Sequence, residues 1–201
     1  MRSENFFRPS RVVALVVIAA AAACAGPATT IEQSWVAPAA RAQPPMQRLA
    51  TLFVSENATM RHSAEDRLAF DLRQQGISAN PSYAVLGDRL DTENLDAAKA
   101  RLRQLGYDGV VVMQIVDREQ AIESLPGYGG WGYWGWYGGY YGSSIYTETI
   151  YRMETSAYDL RTGRLVWSVL TRTDDPDTAR ELIGTTSQVA TRRFISQGLS
   201  G

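Results

Sequence analysis

Few residues of this chain are equipped for chemistry on their own. There is one histidine, His62, and one cysteine, Cys24. A Ser-His-Asp triad would have to recruit His62, which reads as a solvated loop residue just before a helix. The same counts exclude an intrachain disulfide and a zinc site built from several Cys and His ligands. Acidic residues cluster as Asp117 with Glu119, Glu65 with Asp66, and Asp174 with Asp175 and Asp177. A hydrolase needs two carboxyls facing each other across a cleft with separated pKa values. The last two groups fall instead at expected helix starts, where each acid stabilises the helix dipole by about 0.3–1 kcal/mol. No catalytic set emerges, and the expectation is a protein that is not an enzyme and holds no metal.

Gly127 to Gly142 read "GYGGWGYWGWYGGYYG", glycine or aromatic at every position. Two G-x-G-x-x-G matches start at Gly127 and Gly130. A dinucleotide loop must turn a strand directly into a helix whose N-terminus holds the pyrophosphate. These matches lie well past the nearest strand, are filled with tryptophan and lead to another strand, so no cofactor is expected. A membrane-spanning helix is also excluded, because glycine costs about 1 kcal/mol relative to alanine at each helical position. Three readings stay open. The stretch is a connector whose rings fold back onto the sheet, a contact surface for a protein partner or another copy, or a platform for sugar rings or the membrane interface. The candidate contact residues are Tyr128, Trp131, Tyr133, Trp134, Trp136, Tyr137, Tyr140 and Tyr141.

The 201 residues fit one domain plus a leader, and 45% hydrophobic content supplies a sizeable core. The formal net charge is −1, and the chain beyond residue 23 is more acidic still, since the leader carries Arg2, Arg8 and Arg11 against Glu4. Nucleic acid is therefore not an expected partner.

In the leader, those arginines precede the apolar run Val12 to Ala23. The run is too short to span a bilayer and reads as an export signal over residues 1–23. Ala21 to Cys24, "AAAC", resembles the lipobox of bacterial lipoproteins, in which the cysteine is acylated and becomes the mature N-terminus. The usual leucine three residues before the cysteine is Ala21 here. "ARA-Q", Ala40 to Gln43, offers a rival site for ordinary signal peptidase. Lipid attachment at Cys24 makes the membrane a partner. Ala25 stands where the enteric pattern would place an inner-membrane retention aspartate, so the resemblance implies the outer membrane, with the domain facing the periplasm. Residues 24–47, rich in Ala, Pro and Thr, read as a flexible tether. A reach of roughly 25 Å would let the domain hang clear of the membrane.

The elements that must carry all this lie in residues 48–201. Arg48 to Ser55 and Ser82 to Leu86 read as strands, and Gly109 to Asp117 as a strand buried on both faces in a parallel setting. Ser63 with Asp66 gives a capping signature for a first helix, with Leu68 and Leu72 on one face and Gly76 as its stop. A second helix spans about Leu95 to Leu105, with Ala98, Leu102 and Leu105 together. Tyr146 to Leu160 alternates, placing Thr149, Tyr151, Met153, Thr155 and Ala157 on one face and Glu148, Arg152 and Glu154 on a wet one. A turn at Arg161–Gly163 leads to a strand with Leu165, Trp167 and Val169. Asp175 is expected to cap a last helix with Pro176 at its first position. The fold class is α/β: a mixed sheet in the order βαβαβ, then an antiparallel hairpin and a C-terminal helix. In chain order of these strands, right-handed crossovers suggest the sheet order 2-1-3-4-5.

Cys24, "GVVVMQIVDRE", the Gly/Tyr/Trp stretch, "YRMETSAYDLRTGRLVWS" and the helix after "DPDT" together resemble an uncharacterised family of bacterial outer-membrane lipoproteins. The resemblance covers about residues 48–200 and implies no catalytic residues. The element order is also similar to small α/β domains of envelope lipoproteins that activate peptidoglycan synthases or take part in curli secretion. The implied role is a non-enzymatic structural or assembly factor of the envelope, with another envelope protein or peptidoglycan as partner. The alternative is a glycan-binding module that uses the aromatic stretch.

Overall fold

The computed structural model describes residues 28–87, 95–124 and 145–199. Cys24 and the Gly/aromatic stretch, with its eight candidate contact residues Tyr128 to Tyr141, lie outside the described residues. In chain order the elements are β1 (Thr29–Val36), β2 (Arg48–Phe53), α1 (Ala58–Gln74), β3 (Ser78–Pro81), α2 (Ser82–Leu86), α3 (Leu95–Gln104), β4 (Gly109–Ser124), β5 (Ile145–Asp159), β6 (Arg164–Asp174) and α4 (Ala179–Ser196). The strands form one mixed sheet ordered β1-β6-β5-β4-β2-β3. β2 pairs in parallel with β3 and β4, and every other pairing is antiparallel. The expected order of the five strands beyond residue 47 is therefore present, with β1 added at the edge.

That added strand corrects the tether reading. Thr29–Val36 pairs antiparallel along β6, from Thr29 opposite Thr173 to Val36 opposite Trp167. A 3-10 turn at Pro38–Ala42 follows, and the Met46 N–H donates to the Leu199 carbonyl. The sequence hides this strand because six of its eight side chains are exposed. An edge strand gains its stability from backbone pairing on one side and needs no apolar alternation.

Other boundaries shift for equally local reasons. Ser82–Leu86 is a short helix, and the strand beside β2 is the preceding Ser78–Pro81. α1 starts six residues before Ala64, with Asn57 rather than Ser63 as its cap: the Met60 N–H donates to Asn57 Oδ1 at 3.0 Å. His62 is consequently a helical residue, and Glu65 sits inside the helix rather than at its start. α4 is capped by Thr178, not Asp175, through the Glu181 N–H at 3.1 Å. Asp175 instead takes a positive φ of 44° as the chain leaves β6.

α1 and α4 close one face of the sheet. Leu68, Leu72, Leu182 and Phe194 meet Leu49, Phe53, Met113, Met153, Trp167 and Val169 there. The Trp167 and Phe194 rings pack edge to face at 5.2 Å. Among the described residues, α2 and α3 cover the other face over the β2–β4 region, through a small cluster of Ala50, Leu102, Tyr107 and Leu160. β4 is thus not buried on both faces along its length. Val111 and Met113 face the main core, whereas Val110, Val112 and Gln114 are half-buried on the other side.

Candidate functional site

The half-covered face carries a site whose residues come from facing strands. Register sets Gln114 of β4 opposite Glu154 of β5, and Glu154 opposite Leu170 of β6. Ser156 stands opposite both Val112 and Ser168, and Ser168 opposite Trp35 of β1. All alternate with core residues, so the two-residue period of the strands presents them on one surface.

Glu154 is the centre of this surface. Its Oε1 accepts from the Ser156 and Ser168 hydroxyls at 2.8 and 2.9 Å, and its Oε2 accepts from Gln114 Nε2 at 3.2 Å. The Ser156 hydroxyl, against partial burial and with help from Ser168 and Gln114, holds the carboxyl below the usual glutamate range. Three neutral donors thus keep a half-buried carboxylate ionised, with no cation among the groups that set its charge. On one side of it opens a cavity of about 350 Å³ floored by Leu52, Val110 and Val112 and walled by Ala98 and Leu102 of α3. On the other side runs a groove along Gln33, Trp35, Val116 and Leu170. Trp35 is 47% exposed and Val116 46%. The arrangement can accept hydrogen bonds or positive charge at Glu154 while an apolar body lies on Trp35 or in the cavity.

The residues singled out from sequence are dispersed. Asp117 and Glu119 converge on Arg152 Nη1 at 2.7 and 3.0 Å, and Glu32 of β1 meets Arg152 Nε at 3.2 Å. These carboxylates raise the guanidinium's already high pKa and are occupied by it, so they do not form an acid–base pair. His62 stacks on the Tyr83 ring at 4.0 Å, and the Tyr83 hydroxyl donates to Asp66 at 2.8 Å. Asp174 pairs with Arg172 at 2.6 Å. Among the described residues, no group of three or more His, Cys, Asp and Glu is placed to hold a metal ion. No helix among them is long and apolar enough to cross a membrane.

Glu154, Gln114 and Trp35 escape a reading by motif. One signal does exist: Gln114 is the single polar residue in "GVVVMQIV", and Glu154 lies on the wet face of the strand that pairs with it. A second group also escaped. Glu65 is fully buried, and its Oε2 accepts from the Ser82 hydroxyl at 2.9 Å and the Tyr83 N–H at 3.1 Å. Its Oε1 accepts from the Phe53 N–H at 3.3 Å, so one carboxyl fastens α1 to β2 and to the start of α2.

No protein-family model and no curated protein matches the sequence. Among solved structures, the chain is similar to the PelC dodecamer from Paraburkholderia phytofirmans, at 15% identity and a TM-score of 0.46, over 87% of this chain and 99% of that one. It is similar to lipoprotein GNA1162 from Neisseria meningitidis at 14% identity and a TM-score of 0.43, over 76% and 99%. A minor lipoprotein from Acinetobacter baumannii gives 12% identity and a TM-score of 0.37, over 77% and 97%.

Proposed function

We propose that this protein is a non-enzymatic envelope lipoprotein, anchored to the outer membrane through Cys24 and facing the periplasm, where it serves as a structural or assembly factor. The observation that carries the role is the half-covered sheet face. An ionised Glu154 held by neutral donors, next to an exposed Trp35, is suited to binding, because its hydrogen-bond partners among the described residues, Ser156, Ser168 and Gln114, include no titrating group to form an acid–base pair with it. The partner is another envelope protein or peptidoglycan.

Labelling cells with a radioactive fatty acid tests the anchor: label should enter the wild type and not Cys24→Ala. Deleting the gene and restoring it with Trp35→Ala or Glu154→Gln tests the face. Failure of these variants to restore envelope integrity, while folded and acylated, supports the role; full restoration overturns it.

The second reading is a glycan-binding module. Trp35 beside Glu154, Gln33 and Ser168 favours it, since an aromatic plane flanked by hydroxyl and carboxylate oxygens matches the apolar face and rim of a sugar ring. The aromatic stretch 127–142 offers a further platform by composition. Sacculus pull-downs with Trp35→Ala and with a 127–142 deletion separate the two surfaces, and equal retention of both variants removes this reading.

A further inference from the structure

We infer that the half-covered face takes up an extended peptide segment of another envelope protein, laid across the strands. An apolar residue of that segment enters the cavity, a lysine two positions on meets Glu154, and a second apolar residue two positions beyond lies on Trp35. The inference rests on the proposed role of this face and deepens it by naming what the face binds.

The strand register sets the spacing. Val112 of β4 stands opposite Ser156 of β5, Ser156 opposite Ser168 of β6, and Ser168 opposite Trp35 of β1. These residues form one row at right angles to the strands. Val112 floors the cavity and Trp35 lines the groove, so the two apolar ends of the site are three strand spacings apart, roughly 14 Å. The Glu154 carboxylate falls between them, because its Oε1 accepts from both Ser156 and Ser168, the middle pair of the row. An extended chain advances about 6.8 Å for every two residues and turns alternate side chains to one side. Positions i, i+2 and i+4 of a crossing peptide therefore reach the cavity, the carboxylate and the indole in turn. A ligand confined to the cavity engages Glu154 but does not reach Trp35.

Charge selects the middle residue. Three neutral donors hold Glu154 ionised and fill three of the roughly four acceptor sites of a carboxylate. A lysine ammonium can use the one site left, whereas the arginine fork takes two. Farther along the same face, Glu32, Asp117 and Glu119 all meet the guanidinium of Arg152, which leaves that region acidic. The nearby cations are engaged by carboxylates of their own. Arg172 pairs with Asp174 at 2.6 Å, and Lys99 at the cavity rim pairs with Asp96 at 3.1 Å. The field over the face thus favours an incoming cation. At the first position the choice is apolar, because Leu52, Val110 and Leu102 line a cavity of about 350 Å³, ample for a leucine side chain.

The test passes short peptides over the natively acylated full-length protein, held in lipid nanodiscs on a sensor surface, with empty nanodiscs as reference. Acetyl-Leu-Thr-Lys-Thr-Leu-amide carries the pattern, which is the same in both chain directions. It should bind saturably at or below about 1 mM. Exchanging its lysine for norleucine should weaken binding about tenfold, the loss expected for a hydrogen bond to a charged group. That difference should vanish with Glu154→Gln. Removing one threonine turns the second leucine away from the sheet, and should weaken binding severalfold to the wild type and not at all to Trp35→Ala. Equal binding of the lysine and norleucine peptides to the wild type, or of the full and shortened ones, overturns the inference. So does an absence of binding up to about 1 mM. Octylamine or purified muropeptides binding where the peptides do not would assign the face to a small amphiphile or to glycan, and overturn it likewise. If the peptides fail while Trp35→Ala and Glu154→Gln still do not restore the envelope, the role of the face stands and its peptide occupant falls.

Discussion

The Ser82 hydroxyl donates to Glu65 Oε2 across 2.9 Å, joining the first residue of α2 to the middle of α1. With the Tyr83 and Phe53 N–H groups, three donors from two other elements converge on one buried carboxyl. Glu65→Ala leaves these donors without an acceptor at a site that excludes water, and each orphaned group costs about 1–3 kcal/mol. Allowing for relaxation, the variant should lose roughly 3 kcal/mol of stability in urea denaturation. A loss within experimental error of zero would show that the carboxyl holds nothing.

Glu65 also gives stability a definite pH slope. Burial, opposed by the Tyr83, Ser82 and Phe53 donors, pushes its carboxyl above the ordinary value of 4.5. Between 4.5 and that raised value the folded protein binds more protons than the unfolded chain. Its contribution therefore favours folding most at low pH and declines as pH rises through the window. Glu154 and Asp159, held below their ordinary values, give the opposite slope at lower pH. The difference in stability between wild type and Glu65→Gln, followed across pH, isolates the Glu65 contribution. It should move against the wild type as pH rises; a flat difference would refute the raised carboxyl.

β1 distinguishes a tether from a strand by deletion. Removing residues 29–36 would be harmless if they were slack chain. Paired along β6, they instead cover a row of backbone donors and acceptors, and Val36 packs against the core. The deletion should lower the thermal midpoint and cause self-association through the bared β6 edge, seen by size-exclusion chromatography. A monomer of unchanged midpoint would restore the tether.

Helices with a clear apolar period were legible from sequence, as with Leu68 and Leu72 of α1 or Leu182 and Phe194 of α4. So was β5, whose alternation survives because one face is core and the other wet. β1 was not, because its exposed side chains encode pairing that only β6 supplies. The strand read at Ser82–Leu86 lies instead at Ser78–Pro81 for a similar reason: the apolar "SYAVL" fills space beneath α3, while "SAN" pairs with β2 and turns only Ala79 into the core. Caps erred toward the stronger pattern, Ser63 and Asp175, where Asn57 and Thr178 make the bonds. The Glu154 site was half visible. Glu154 was assigned to a wet face, but Gln114 fell in a strand expected to be buried on both faces and Trp35 in the tether, and their convergence depends on register among four strands, which no local pattern encodes.

Gly109 marks the start of β4, and the space around its Cα explains the residue. A Cβ there would lie 2.5 Å from Met46 Sδ, 2.9 Å from Leu49 Cδ2 and 2.9 Å from the Tyr158 carbonyl oxygen. The methionine can swing away, but the carbonyl belongs to the paired strand β5 and cannot move without opening the sheet. Gly109→Ala should destabilise by about 2 kcal/mol through overpacking, despite alanine's lower entropy in the unfolded chain. A stabilised Gly109→Ala variant would mean that β4 and β5 separate more easily than their register implies.

Two buried threonines on the core face of the sheet should respond oppositely to the same substitution. Thr171 donates from Oγ1 to the Met153 carbonyl at 3.1 Å, whereas buried Thr155 Oγ1 has no hydrogen-bond partner among the described residues. Valine matches threonine in shape and suits a strand, so the change at each site mainly removes a hydroxyl. At Thr155 this relieves an unpaid desolvation, and Thr155→Val should gain about 1 kcal/mol. For a chain of this size that is roughly 2–4 °C in the thermal midpoint. At Thr171 a made hydrogen bond is lost, and Thr171→Val should lose about 1 kcal/mol. Thermal unfolding of the two variants in parallel decides the matter. If Thr155→Val falls as far as Thr171→Val, then Thr155 has a partner in solution and the core beneath α4 is wetter than its packing indicates.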